Sequence, residues 1–245
     1  MIDTPVPITA HLTELRRRIV RVLLAWIAGA ILAWRYKEAI FSSLLAPAVE
    51  ALGPQGRTLQ AIAPTEIFFT YLKCAALAGF FIALPVVFWQ TWSFIAPGLY
   101  ASEKRVVVPF VLISTLLFAG GAAFGHTVVF PLVFDFFMGF DADAEFVHSA
   151  WTLRLVFSLT TQLLLAFGIA FELPVAVFFL ALSGIVDARQ LLAGTPYAVL
   201  GVFVAAAILT PPDFISQLLL AFPMIVLYLV GVGVAWLFGG RKTDR

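Results

Sequence analysis

Residues 214–238 form a predominantly apolar run that contains no charged side chain. A helix needs about 20 mostly apolar residues to cross ~30 Å of bilayer hydrocarbon, and this run is long enough to do so. Only 12% of the 245 residues are charged and 62% are hydrophobic, whereas a soluble domain carries about a quarter charged residues. Because so few charges cannot cover a water-facing surface, the sequence predicts an integral membrane protein.

Six apolar segments are long enough, or nearly long enough, to be transmembrane helices. They are residues 19–34, 68–94, 106–130, 155–182, 197–209 and 214–238. The fifth segment would reach only ~20 Å at ~1.5 Å per residue, so it is either re-entrant or a full span in thinned bilayer. We therefore expect an all-α polytopic helical bundle that forms one integral membrane domain over residues 1–245.

Basic residues are unequally divided between the two ends of these segments. If the N-terminus is cytoplasmic and all six segments cross, most of the 15 basic residues fall on the cytoplasmic side: Arg16, Arg17, Arg18, Arg21, Lys104, Arg105, Arg189, Arg241, Lys242 and Arg245. The positive-inside rule favours this arrangement. We expect a multi-pass protein of the inner membrane with both termini in the cytoplasm.

The sequence lacks the motifs of several common kinds of catalytic and ligand-binding site. The three histidines, His11, His126 and His148, do not have metal-ligand spacing. The sequence contains no phosphate-binding P-loop and no GxSxG nucleophile motif, and a net charge of +1 provides no basic surface for nucleic acid. We therefore expect no catalytic residues, no metal, no cofactor and no nucleic-acid partner.

Three local patterns predict structure outside or between the spans. Apolar residues recur at helical spacing within 40–52, which predicts a short helix on the membrane surface. Asp213 follows two prolines and is placed to cap the last helix. Gly121 and Gly125 form a GxxxG pattern, which favours close helix–helix contact within the bundle.

Three acidic residues and one amide need an explanation. Glu14 can pair with Arg18 four residues later or bind a partner. Glu103 is either a solvated acid near a helix N-terminus or a binding residue. Glu172 lies near the bilayer midplane, where a carboxylate costs at least ~2.5 kcal/mol and indicates a functional site; the alternative is a satisfied packing contact. For Gln217 the structural interpretation is favoured.

Several short motifs, taken in order, resemble the TatC family, the multispanning core of the twin-arginine protein translocase. The matching residues are 11–16, 46–47, 64–68, 94–100 with Glu103 and Arg105, 167–174, 196–197 and 209–213 with Gln217. Together they run from residue 11 to 217. Each motif alone is weak, and the ordered set within a six-span pattern is specific.

The resemblance implies a receptor for signal peptides with two adjacent arginines, carried by folded passenger proteins. Glu14 and Glu103 would bind the arginines, because a guanidinium presents a rigid fork of donors to a carboxylate. Leu12, Arg16, Phe94 and Arg105 would belong to the same site.

The resemblance also implies partners and an energy source. The partners are the single-span proteins TatA and TatB, further copies of the chain within a larger complex would be present, and the proton-motive force would drive export. Glu172 and Gln217 would be intramembrane polar residues that contact partners. Pro47, Glu66, Pro85 and Asp213 would be structural residues, mainly of the outer face.

One alternative function stays open from the residues. A secondary transporter of a small solute or ion could use Glu172 as its proton site. Such transporters usually contain interrupted spans at corresponding positions of two related halves. No internal repeat is visible in this sequence, and its one short span lies near the C-terminus, so the translocase interpretation is favoured.

Overall fold

The computed structural model describes residues 8–53, 58–95, 104–142, 150–210 and 214–238, and helices account for nearly all of them. In chain order the helices are α1 (Ile8–Trp34), α2 (Lys37–Leu52), α3 (Pro64–Ile95), α4 (Lys104–Phe124), α5 (Phe130–Ala142), α6 (Leu153–Ala170), α7 (Leu173–Leu182), α8 (Ala188–Ala193), α9 (Thr195–Leu209) and α10 (Phe214–Phe238). Within the described ranges the protein is all-helical, and an isolated parallel bridge pairs Gln60 with Thr152.

Four stretches are long and apolar enough to cross a membrane: Pro64–Ile95, Val107–Gly139, Leu153–Leu182 and Phe214–Leu237. They confirm the second, third, fourth and sixth predicted segments. Helices α1 and α2 meet the same criterion only as a sharply bent pair, which would make five spans, and Thr195–Ile208 is a shorter apolar helix. A count of six therefore stays a prediction.

Two of these spans are not continuous α-helices. A π-helical turn, Gly125–Val129, joins α4 to α5. The fourth span breaks at Phe171 and Glu172, between α6 and α7, and Pro174 lies in the first turn of α7. Proline has no backbone N–H and its ring collides with the carbonyl four residues earlier, which explains the break.

The chain divides into two compact units, and the first comprises residues 1–40 and 71–115. In this unit α1 packs closely on α3, because a Cβ placed on Gly29 would lie 2.6 Å from the carbonyl oxygen of Gly79. The Trp26 indole donates a hydrogen bond to the Ala76 carbonyl at 2.7 Å. Small residues thus allow the two backbones to approach, as in other membrane helix pairs.

The second unit comprises residues 41–70 and 116–245. Here Gly121 and Gly125 face Phe167 of α6, and a Cβ on Gly125 would lie 2.9 Å from the Phe167 ring. From the other side, Gly168 of α6 faces the ring of Phe118. The predicted role of the GxxxG pattern in close helix contact is therefore confirmed.

A buried apolar cluster joins α7, α8 and α10 within the second unit. It consists of Val177, Leu191, Tyr228, Val232 and Ala235. The buried Tyr228 hydroxyl donates a hydrogen bond to the Leu191 carbonyl at 2.6 Å. This bond satisfies a polar group that would otherwise be costly to bury.

The helix predicted within residues 40–52 is present as α2. Its buried residues include Leu44, Leu45 and Leu52, whereas Val49 is exposed. The predicted apolar face is therefore only partly the buried face. Its position on the membrane surface stays a prediction.

Candidate functional site

The beginning of α1 and the end of α3 meet in the first unit and form what we call the N-terminal cluster. Its members are His11, Glu14, Arg18, Gln90, Ser93 and Phe94. Leu12 is 57% exposed and Arg16 is also exposed on the same turns of α1. A polar, accessible surface thus lies at the end of α1 that precedes its apolar part.

Glu14 and Arg18 form the ion pair that their spacing predicts. The Arg18 guanidinium donates to Glu14 Oε1 from Nε at 3.0 Å and from Nη2 at 2.5 Å. These hydrogen bonds are the main cause that holds the pKa of Glu14 below its ordinary value, and the positive charges of Arg18, His11 and Arg17 also lower it. Glu14 is therefore an ionised carboxylate on an exposed helix face.

Arg18 also links α1 to the end of α3. Its Nη1 donates to the Gln90 carbonyl at 3.3 Å, and its Nη2 donates to the Ser93 carbonyl at 3.1 Å. Ser93 belongs to the last turn of α3, where carbonyls lack partners within the helix and a positive charge is favourable. These contacts were not predicted, because nothing in the local sequence relates residue 18 to residues 90–93.

Phe94 completes the cluster. Its ring stacks on the His11 ring with 4.5 Å between centroids, and the Arg18 guanidinium carbon lies 5.8 Å from the Phe94 centroid. Glu103 lies outside the described residues, and so does the side chain of Arg105. Of the six predicted signal-peptide residues, Glu14 and Phe94 are thus brought together, because Arg18 contacts both of them.

A second polar site, at Glu66, lies in the other unit. Glu66 Oε2 accepts the Ile62 amide at 2.8 Å, and Oε1 accepts the Arg154 amide at 2.7 Å. Next to it, the Gln60 amide donates to the Trp151 carbonyl, and the Leu153 amide donates to the Gln60 carbonyl. Glu66 therefore holds the segment before α3 to the beginning of α6.

The remaining predicted residues occupy separate positions. Glu172 lies at the break between α6 and α7, with its Oε1 atom buried. Gln217 of α10 donates to the Phe203 carbonyl of α9 at 3.1 Å, which agrees with the structural interpretation. Pro47 is buried inside α2 and Pro85 is exposed inside α3. Asp213 lies outside the described residues.

Residues 10–223 match the family model described as Sec-independent protein translocase protein (TatC). This match covers most of the chain. The chain belongs to the TatC family. It is a core component of the twin-arginine translocation system and a multi-pass protein of the inner membrane.

Individual TatC relatives extend over nearly the full length. The protein is 40% identical to the Sec-independent protein translocase protein TatC of Desulforapulum autotrophicum over 97% of this chain and 87% of that protein. It is 37% identical to the TatC of Escherichia coli K12 over 98% of this chain and 92% of the relative.

Two solved TatC structures share the fold. One, described as the twin arginine translocase receptor TatC, is 34% identical with a TM-score of 0.78, covering 93% of this chain and 98% of that chain. The other is the same receptor in DDM, 33% identical with a TM-score of 0.81, covering 92% and 99%.

Proposed function

We propose that the N-terminal cluster is the cytoplasmic binding site for twin-arginine signal peptides. The observation that carries the proposal is the Glu14 carboxylate, which is ionised and whose side chain is 47% exposed. An exposed carboxylate can accept the parallel N–H donors of a guanidinium, and a lysine ammonium does not match that geometry. The TatC structures described as twin arginine translocase receptors support the same role.

Glu103 supplies the second carboxylate in this proposal. It directly precedes α4, and α3 ends at Ile95 with Phe94 inside the N-terminal cluster. Glu103 therefore belongs to the sequence segment that connects α3, whose end carries Phe94, to α4. Leu12, Arg16, Phe94 and Arg105 complete the site, with Leu12 offering an exposed apolar contact beside the two arginines.

The wider proposal concerns the complex and its topology. The chain forms one integral membrane domain with six spans and both termini in the cytoplasm, so the N-terminal cluster faces the cytoplasm. It works with TatA- and TatB-type single-span proteins and with further copies of itself. Export of the folded passenger uses the proton-motive force, and the chain itself catalyses no reaction.

Peptide binding by the purified protein tests the proposal. A peptide with two adjacent arginines and its Lys-Lys counterpart are titrated against the full chain in detergent. Glu14→Gln and Glu103→Gln should each weaken binding of the twin-arginine peptide severalfold, because each removes a charge-assisted acceptor. Glu50→Gln changes an exposed acid on α2 and is the matched control. Equal binding of both peptides by the unmodified chain would refute the proposal.

A further inference from the structure

Arg18 is the one arginine in the N-terminal cluster, and it is not among the residues that are proposed above to contact the signal peptide. Its side chain is only 17% exposed, and it donates hydrogen bonds to Glu14 and to two carbonyls of α3. The Arg18 guanidinium lies beside Glu14, the acid that would bind an arginine of the signal peptide, and this proximity can have two opposite effects. It can compete with the incoming arginine, or it can hold the acid ready for it.

The geometry of the pair distinguishes these consequences. Both hydrogen bonds from Arg18 end on the same oxygen, Glu14 Oε1. Within the described ranges, Oε2 accepts no hydrogen bond. A carboxylate has about four lone-pair sites and can accept hydrogen bonds from two donor groups at once. One oxygen of Glu14 is thus engaged inside the protein while the other is available for a second guanidinium.

We propose that Arg18 is a positioning residue that holds Glu14 with Oε2 available to an arginine of the signal peptide. This inference rests on the proposed function of the N-terminal cluster. Arg18 is itself fixed by the Gln90 and Ser93 carbonyls, at 3.3 and 3.1 Å. Glu14 is therefore oriented through Arg18 by the end of α3.

The same arrangement contributes to selectivity for arginine over lysine. Arg18 offsets most of the Glu14 charge at short range, so a point charge on an approaching peptide gains little long-range attraction. Directional hydrogen bonds to Oε2 remain, and a planar guanidinium is pre-organised to make them. Arg18 thereby shifts recognition from net charge to donor geometry.

A double-mutant cycle tests the proposal on the full chain in detergent. Affinity for the twin-arginine peptide and for its Lys-Lys counterpart is measured for the unmodified chain, Glu14→Gln, Arg18→Gln and the double variant. Arg18→Gln should weaken binding of the twin-arginine peptide about tenfold, because Glu14 is no longer held in position to accept charge-assisted hydrogen bonds. It should also reduce the preference for the twin-arginine peptide over the Lys-Lys peptide. In the Glu14→Gln background, Arg18→Gln should have no further effect.

Two further variants control for charge and folding. Arg21→Gln removes one positive charge from an exposed position of the same helix and should bind like the unmodified chain. Arg18→Lys keeps the charge beside the end of α3 without the planar fork, and it should lose part of the arginine preference. It carries the test if Arg18→Gln does not fold, in which case an unchanged preference in Arg18→Lys overturns the proposal.

The outcomes separate this inference from the proposed function. Tighter binding by Arg18→Gln would identify Arg18 as a competitor and overturn the proposal. A loss equal in both backgrounds would indicate a merely structural role and overturn it as well. If Glu14→Gln itself binds both peptides like the unmodified chain, it is instead the assignment of the N-terminal cluster as the peptide site that fails.

Discussion

Arg18 donates two hydrogen bonds to one oxygen of Glu14, from Nε at 3.0 Å and from Nη2 at 2.5 Å. The residues are four positions apart on α1, which is the ordinary spacing of a helical ion pair. Because Arg18 also contacts Gln90 and Ser93, this local pair is part of the packing between α1 and α3. A solvated helix pair thereby gains a fixed place in the tertiary structure.

The contribution of Glu14 to binding of a twin-arginine peptide should persist as the pH falls below the ordinary range of a glutamate. The Arg18 hydrogen bonds lower the pKa of Glu14, so the carboxylate stays ionised to lower pH. This contribution is lost when the pH falls through that lowered pKa. In Arg18→Gln the pKa of Glu14 rises, and the loss should move to higher pH. Peptide affinity measured from neutral to acidic pH checks this.

The control for this titration concerns the charged groups that face Glu14. They are His11, Arg17 and Arg18 on α1, and the contacting residues at the end of α3 are not titratable. His11→Phe removes the imidazole and keeps a ring to stack on Phe94. A pH profile that is the same with and without Arg18 would contradict the assigned cause.

Gly121→Ala should destabilise the protein, whereas Gly120→Ala should not. A Cβ on Gly121 would collide with the Phe167 carbonyl and the Phe171 ring, and a Cβ on Gly120 meets open space. Both changes gain the same helix propensity, so their difference isolates the collision. We expect Gly121→Ala to be about 1–3 kcal/mol less stable in detergent unfolding. Equal stability of the two variants would show that α4 and α6 are not in close contact.

Glu66→Gln should loosen the junction between the segment before α3 and the beginning of α6. A glutamine provides one acceptor oxygen where Glu66 provides two, one for the Ile62 amide and one for the Arg154 amide. At least one of these amides should exchange its hydrogen roughly fivefold faster. Hydrogen exchange with Glu50→Gln as the control measures this, and unchanged protection of both amides would contradict the prediction.

Glu172→Ala should leave peptide binding intact and impair export or partner assembly. Glu172 belongs to a break within an apolar span, away from the N-terminal cluster in sequence and in the other compact unit. An ionisable residue at such a place is costly and indicates function. Export in cells and peptide affinity of the purified variant are the two measurements. Unchanged export would refute the role.

Periodicity and spacing predicted much of the helical structure. The apolar runs identified α3, the α4–α5 stretch, α6–α7 and α10, and the spacing within 40–52 identified α2. These features depend on residues that are close together in the chain, so they can be predicted from the sequence alone. The Glu14–Arg18 pair and the close contact at Gly121 were predicted for the same reason.

Non-local contacts could not be predicted in this way. The bonds from Arg18 to Ser93 and from Glu66 to the Arg154 amide join residues that are far apart in the chain. The π-helical turn at Gly125–Val129 also could not be predicted from the periodicity of apolar residues. The resemblance to the TatC family supplied the candidate residues of the site, and only the fold shows which of them share neighbours.

The most direct test of the central claim is to find where a bound twin-arginine peptide lies. A photo-crosslinker placed next to the two arginines is activated with the full chain in membranes, and the linked residues are mapped. We expect crosslinks to the first turns of α1 and the end of α3, around Glu14 and Phe94, and these crosslinks should weaken in Glu14→Gln. Crosslinks concentrated around Glu66 and Arg154, or unaffected by Glu14→Gln, would contradict the central claim.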